Sequence, residues 1–105
     1  MLDVGAGSGH LGMLLRKDHP GLAYHAIDCR PENVAFMKDK GLSAEIGIAE
    51  RLPFPNQCFD VVVLAEVLEH LPNPGKALAE AFRVGKKVLL SLPKNHTDEW
   101  HQHVV

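Results

Sequence analysis

The sequence predicts a three-layer α/β domain in which helices cover both faces of a doubly wound parallel β-sheet. Apolar runs of strand length alternate with segments of helical periodicity, as in repeated βαβ units. The run FDVVVL at 59–64 is almost wholly apolar, which is typical of a strand covered on both faces. A glycine-rich turn follows the first strand, at the sheet edge where such folds bind ligands.

The first unit is a strand, a turn and a helix. Residues 1–4 form a short apolar run that ends at Gly5, as expected of a buried strand entering a turn. Three leucines between positions 11 and 15 recur at helical spacing. The pair Pro20-Gly21 ends this helix, because proline cannot continue it and glycine favours a turn.

The second unit repeats the same order of elements. Residues 22–27 predict a strand that ends at Asp28. Pro31 is suited to the first position of a helix, and Gly41 to the position just beyond its end. A weaker third strand is predicted over 44–48, so the βαβ alternation is established by this point of the chain.

The second half of the chain supplies two more strands. The segment LPFPNQ contains two prolines and an asparagine, which exclude both a helix and the interior of a sheet. The strand at 59–64 follows, then a helix that begins at Asn73-Pro74 and a fifth strand at 87–92. The polar, histidine-rich tail from Lys94 shows no periodicity, so we predict no element there.

Composition bounds the class of protein. The 105 residues predict one domain over 1–105, and 46% hydrophobic with 23% charged residues is ordinary for a globular protein. A formal charge of −2 without a basic stripe argues against nucleic-acid binding. Cys29 and Cys58 form neither a disulfide framework nor a zinc motif, which favours the reducing cytoplasm. The start of the sequence lacks a signal peptide or membrane span, so we expect a soluble protein.

The turn DVGAGSG at 3–9 is the strongest candidate binding element. Its three alternating glycines let the backbone take positive φ and let a ligand approach without Cβ atoms in the way. A tight turn that needs glycine only for its geometry is the alternative. Both readings place the turn between a buried strand and a helix.

Two classes of ligand fit such a turn. The segment GSGHLG at 7–12 matches the dinucleotide pattern GxGxxG. A dinucleotide turn has its first glycine directly after the strand, however, and counted from Gly5 the third glycine would fall on His10. The acid Asp3 also disfavours a pyrophosphate and favours a ligand with ammonium and sulfonium groups. An NAD-binding domain is therefore the least favoured reading.

Asp28 is the second candidate binding residue. It ends the second strand, where a carboxylate can accept hydrogen bonds from both hydroxyls of a ribose. The alternative is that Asp28 caps the helix that begins at Pro31. Its position suits a nucleoside and a dinucleotide equally.

Together, the turn DVGAGSG, Asp28, AERLPFPNQCFDVVVLAEVLEHLPNPGKALAE and VLLSLPKN resemble the class I S-adenosylmethionine-dependent methyltransferases of the type 11 group. The sequence is similar to the ubiquinone-biosynthesis O- and C-methyltransferases nearly end to end. The resemblance implies a Rossmann-like sheet with strand order 3-2-1-4-5, S-adenosylmethionine as cofactor, and methyl transfer to a small-molecule O, N or C nucleophile.

Relatives usually have helices before the first strand and an antiparallel strand pair after the fifth. We expect both to be absent here, so that residues 1–105 are a cofactor-binding core truncated at both ends. The alternative function is a truncated, non-catalytic cofactor-binding or scaffold module of the same fold. An edge strand left exposed by the missing pair would allow a homodimer.

The resemblance also implies which residues bind the cofactor. Asp3 would lie near its amino group, Asp28 would bind the ribose and Cys29 would flank the adenine. The full predicted set is Asp3, Gly5, Ala6, Gly7, Gly9, Asp28, Cys29, Ile48, Ala49 and Ala65.

One position departs from the family pattern. Relatives often have Gly-Asp-Ala before the LPF segment, with the aspartate on the adenine amino group, whereas this chain has Gly47-Ile48-Ala49. Backbone groups of Ala49 remain available, and Glu50 is a candidate replacement. We expect weaker adenine recognition.

The segment EVLEH follows the fourth strand, and the resemblance places it around the methyl-transfer site. Glu66 and His70 are the candidate catalytic residues. The alternative is that Glu69 and His70 only cap a short helix. Displacement at a sulfonium methyl gains mostly from positioning and desolvation, so a general base matters only for weak nucleophiles.

The tail raises one further possibility, which we do not favour. His96, His101 and His103, with Asp98 and Glu99, are metal-ligand types, but a solvated tail is the preferred interpretation and no metal is predicted. The expected partner is a small-molecule methyl acceptor.

Overall fold

A computed structural model describes residues 1–93 and 100–104, with side chains as far as Ser91. The strands are β1 (Leu2–Val4), β2 (His25–Asp28), β3 (Ala44–Ile46), β4 (Phe59–Ala65), β5 (Gly85–Pro93) and β6 (Trp100–Val104). They form one sheet in the order β3-β2-β1-β4-β5-β6. Strands β1 to β5 are parallel, which confirms the predicted order 3-2-1-4-5, and β6 is antiparallel to β5.

The helices begin where the sequence carries start signals. They are α1 (His10–Asp18), α2 (Pro31–Asp39) and α3 (Pro74–Val84), with a 3-10 helix at Leu68–His70. Helices α2 and α3 have proline in the first turn, where its missing N–H costs nothing. The Asn73 side chain caps α3 by accepting a hydrogen bond from the Lys76 N–H at 3.2 Å. Helix α1 instead begins after Gly9, whose φ of 83° lies in the left-handed region.

Both faces of the sheet are packed, as the predicted three layers require. Alternate residues of β1, Leu2 and Val4, enter a core that α3 covers with buried residues such as Ala81. The opposite face packs against α2 through residues such as Val34 and Met37. Asp3, the intervening residue of β1, therefore points to the α2 side of the sheet, so a carboxylate lies in that buried layer.

Strand boundaries differ from the predicted ones by a few residues. Strand β2 begins at His25 and not at position 22, because the Leu22 N–H closes a turn on the His19 carbonyl at 3.0 Å. Strand β3 ends at Ile46, and Ile48 instead pairs with Arg51 in an isolated bridge. Local turns thus shorten both strands at their ends.

The sheet gains one antiparallel strand where the sequence predicted no element. Strand β6 runs along β5, with Leu89 opposite Val104 and Pro93 opposite Trp100. It occupies the edge of β5 through which we expected a homodimer, so the outermost strands are β3 and β6. The segment WHQHV has no alternation of apolar and polar residues, so its sequence carries no strand signal.

Across residues 1–93 and 100–104, every helix lacks the length and apolarity that crossing a bilayer demands.

Candidate functional site

A cavity of about 560 Å³ opens at the carboxyl ends of β1, β2 and β4. This is the sheet edge at which parallel α/β folds bind ligands, and the volume lies in the range of small-molecule sites. Much of the predicted site meets there. The predicted residues that line the cavity are Gly5, Asp28, Cys29, Ile48, Ala49, Glu66 and His70.

Asp28 is the hub of this site. The Gly7 N–H donates to its Oδ2 at 2.8 Å, while the Arg30 N–H and the Asn33 side-chain amide donate to Oδ1 at 2.9 and 3.1 Å. Asp28 is only 7% exposed and connects the glycine turn to the start of α2. A carboxylate has about four acceptor positions, so one remains for a ligand. Arg30 is the N-cap of α2, and Asp28 orders the approach to this helix without itself being its cap.

The three glycines of the turn have different neighbours, although all have positive φ. A Cβ on Gly5 would lie 2.4 Å from Val67 Cγ2, and one on Gly9 would lie 2.7 Å from Met37 Cγ. A Cβ on Gly7 would have no atom within 4 Å. Packing therefore requires glycine at positions 5 and 9, and Gly7 is the one of the three with open space beside it.

Asp3 lies outside the cavity walls. It is 2% exposed, and the Tyr24 hydroxyl donates to its Oδ2 at 2.5 Å. Burial raises the pKa of Asp3 to about 6; the hydrogen bond from Tyr24 opposes this rise and the charge of Asp28 adds to it. The geometry gives no support to direct contact between Asp3 and the cofactor amino group, so any effect on a bound cation acts through space.

We expect Asp3→Asn to stabilise the domain at neutral pH. The folded pKa of about 6 exceeds the ordinary value of 3.8, so the folded state retains a proton that the unfolded chain releases. Stability from this group therefore falls as pH rises through that window, by about 3 kcal/mol in all. Asparagine still accepts from Tyr24 but carries no charge. Urea unfolding at pH 7 should show a gain of about 2 kcal/mol, and at pH 4 a much smaller one. Equal stability of variant and wild type at pH 7 would contradict the burial of a charged Asp3.

The backbone turns sharply at Glu66, the residue that follows β4. Its φ of 58° is unusual for a residue with a side chain, and its N–H donates to the Ser91 carbonyl at 3.0 Å. Such strain costs of order 1 kcal/mol and concentrates at functional sites. The turn brings Val67 against Gly5 and leads His70 to the cavity wall.

The pair Glu69 and His70 is loosely arranged. Glu69 Oε1 lies 3.7 Å from His70 Nε2, and the His70 side chain is 76% exposed. The 3-10 helix has no side-chain cap, so the capping alternative is not observed. The exposed imidazole is free to meet a ligand at the cavity rim.

Some predicted residues lie away from the cavity, and some cavity residues were missed. Ala6 packs on the core beside α2, and Ala65 pairs with Ser91 in the sheet. The predicted residues that do not line the cavity are Asp3, Ala6, Gly7, Gly9 and Ala65. Residues that line it without having been predicted include Arg30, Asn33 and Val67. Only Asn33 carried a usable signal, as a polar residue in the first turn of the helix after Asp28.

The tail histidines are outside this description. His96, Asp98 and Glu99 fall outside the described residues, as do the side chains of His101 and His103. Among the side chains that the structure does describe, no group of three or more His, Cys, Asp or Glu could hold a metal ion.

Comparison with known proteins decides the family. A family model described as a methyltransferase domain matches residues 2–88. The chain belongs to this methyltransferase domain family. This match confirms the expected type 11 group of class I methyltransferases. The cofactor of this family is S-adenosylmethionine, as predicted.

The methyltransferase domain has several similar relatives. The demethylmenaquinone methyltransferase of Thermus thermophilus is 30% identical over 103 residues, which cover 89% of this chain and 47% of that protein. The malonyl-[acyl-carrier protein] O-methyltransferase of Herminiimonas arsenicoxydans is 38% identical over 86 residues, which cover 82% of this chain and 33% of that protein. The chain spans less than half the length of these relatives.

Solved structures agree on the fold. The YcgJ protein of Bacillus subtilis superposes with a TM-score of 0.75 at 30% identity, over 90% of this chain and 45% of that one. A methyltransferase of Methanosarcina mazei reaches a TM-score of 0.80 at 22% identity, over 90% of this chain and 52% of that one. The second likeness concerns the fold alone.

Proposed function

We propose that this methyltransferase domain transfers a methyl group from S-adenosylmethionine to an O, N or C atom of a small molecule. The observation that carries the proposal is the cavity at the carboxyl sheet edge, where Asp28 lines the wall and accepts a hydrogen bond of 2.8 Å from Gly7 of the glycine turn. Two relatives are named for demethylmenaquinone and for malonyl-[acyl-carrier protein], which supports a methyl acceptor that differs widely within the family.

We assign the cofactor's parts to different walls of the cavity. Asp28 accepts a hydrogen bond from the ribose at its remaining acceptor position, and Cys29, Ile48 and Ala49 flank the adenine. Gly5 and Gly7 adjoin the methionine portion. In this proposal the remaining predicted residues do not contact the cofactor and instead support the residues that line the cavity: Asp3, Ala6, Gly9 and Ala65.

The charge of the cavity supports this cofactor over a dinucleotide. Three carboxylates line it, on Asp28, Glu50 and Glu66, against one guanidinium on Arg30. An excess of negative charge attracts a sulfonium and an ammonium but repels a pyrophosphate. The same lining therefore argues against the NAD reading of GxGxxG.

When bound, S-adenosylmethionine supplies an electrophilic methyl group. We assign Glu66 and His70, on the cavity wall near the end of β4, to orient the acceptor and take its proton where the acceptor is a hydroxyl or an amine. Positioning supplies most of the rate in such a displacement. A non-catalytic cofactor-binding module is the alternative, and binding without transfer to any acceptor would favour it.

The test is calorimetric titration of the 105-residue chain with S-adenosylmethionine, S-adenosylhomocysteine and NAD. We expect saturable one-site binding of the first two ligands and no heat from NAD. Phenol, quinol, amine and carboxylate acceptors are then screened with methyl-labelled cofactor. Binding of NAD alone would overturn the proposal.

We further propose a cytoplasmic protein without a nucleic-acid partner. The free, exposed thiols of Cys29 and Cys58 and the net charge of −2 support this. A homodimer through the sheet edge would have to use β3 or β6. A concentration-independent monomer mass in light scattering would exclude it.

A further inference from the structure

Helix α3 holds the loop at residues 52–57 through an ion pair. Arg83 Nη2 lies 2.7 Å from Glu80 Oε2, and Nη2 also donates to the Leu52 carbonyl at 2.8 Å. Arg83 Nη1 donates to the Phe54 carbonyl at 2.7 Å and to Asn56 Oδ1 at 3.0 Å. Glu80 Oε2 in turn accepts from the Leu52 N–H at 3.1 Å. The pair therefore binds both the donor and the acceptor of one backbone residue.

The far end of the same loop is also tied to α3. The Gln57 N–H donates to the Arg83 carbonyl at 2.8 Å. The Gln57 side-chain amide donates to the carbonyls of Phe82 and Gly85 at 3.2 and 3.1 Å. With both ends attached, the loop has little freedom to move relative to α3.

Leu52 directly follows a wall of the cofactor cavity. Ile48, Ala49 and Glu50 line the cavity, and the Arg51 N–H closes their turn on the Ile48 carbonyl at 3.2 Å. Ala49 and Leu52 are both buried in the core beneath α3. This cavity wall is thus a short turn, and the residue that follows it, Leu52, is fixed by hydrogen bonds to Glu80 and Arg83.

We propose that Glu80 and Arg83 are positioning residues that set the affinity and the base preference of the cofactor site. Neither lines the cavity, so they act through Leu52 and the wall at 48–50. Because Ile48 stands where relatives often have an aspartate, this wall recognises the adenine through its backbone groups and through Glu50, whose position the same backbone sets. Backbone recognition depends directly on where the backbone is held.

Arginine is suited to this task. Its planar fork serves a carboxylate and two carbonyls at once, which a lysine ammonium cannot do in one geometry. The Arg83 and Glu80 side chains are 34% and 21% exposed, so water screens the pair less than an ordinary surface ion pair. The inference rests on the proposed function, since it concerns the same cofactor site.

The experiment compares two ligands in four chains. Kd values are measured for S-adenosylhomocysteine and for S-inosylhomocysteine, which carries an oxo group in place of the adenine amino group. We expect wild type to prefer the adenosyl ligand. Arg83→Ala should weaken its binding about tenfold and reduce the preference, and Arg83→Lys should fall between. Val88→Ala, which removes core packing from β5, is the control that lowers stability and leaves the preference unchanged.

Each outcome bears on a separate claim. An unchanged preference in Arg83→Ala, or equal affinity of wild type for both ligands, overturns the inference and leaves the proposed function intact. Failure of wild type to bind either ligand overturns both. If Arg83→Ala does not fold, Arg83→Lys and Glu80→Gln carry the same comparison, because both retain hydrogen-bonding groups. A reduced preference in both supports the inference.

Discussion

Asp28→Asn should weaken S-adenosylhomocysteine binding about 100-fold, which corresponds to about 2.7 kcal/mol. Donors from Gly7, Arg30 and Asn33 converge on the two carboxylate oxygens. Asparagine offers one oxygen and one NH₂ group, so at least one of these donors would face another donor. The ribose hydroxyls would also lose a charged acceptor. Calorimetric titration measures the change.

Asn33→Ala is the matched control for this prediction. It removes one donor from Oδ1 and keeps the charge, so binding should weaken only a few-fold. Thermal melts of both variants check that they fold. Wild-type affinity in a folded Asp28→Asn chain would show that the ribose assignment is wrong.

Gly5→Ala should lower the free energy of unfolding by about 3 kcal/mol. About 1 kcal/mol comes from placing an alanine at positive φ, and the rest from overpacking. The new Cβ would lie 2.4 Å from Val67 Cγ2. Urea unfolding monitored by circular dichroism measures the loss.

Two variants separate the causes. Gly7→Ala has the same sign of φ but no atom within 4 Å of the new Cβ, so it should cost only about 1 kcal/mol. Adding Val67→Ala to Gly5→Ala removes the clashing methyl group. The double variant should therefore lose less free energy of unfolding than the two single variants lose in sum. Equal losses for Gly5→Ala and Gly7→Ala would refute the packing argument.

The core of the fold could be predicted because its signals are local. The apolar run of β4 predicts a buried strand, and the proline at the start of α2 predicts a helix start, each from its own segment alone. The parallel sheet then follows from the alternation of strands and helices along the chain. Strand β6 could not be predicted in this way. Its polar residues lie at an edge, so only pairing with β5, a tertiary contact, defines it.

The site divides along the same line. Asp28 and the glycine turn were predictable because strand ends of a parallel sheet meet at one edge. The side-chain partners were not. Which face of β1 receives Asp3 depends on the register of a buried three-residue strand, and Arg83 meets Leu52 only after the chain has folded. No spacing in the sequence indicates either contact.

The central place of β1 has a consequence for synthesis on the ribosome. Leu2 pairs with His25 on one side and with Val62 on the other, and Val62 comes more than half the chain later. Strands β1 to β3 can therefore assemble while one flank of β1 still lacks its neighbour. Such unpaired edges attract other chains, and contacts between distant residues form slowly. The nascent domain is most exposed to misassembly, and most in need of chaperones, in the interval before β4 emerges.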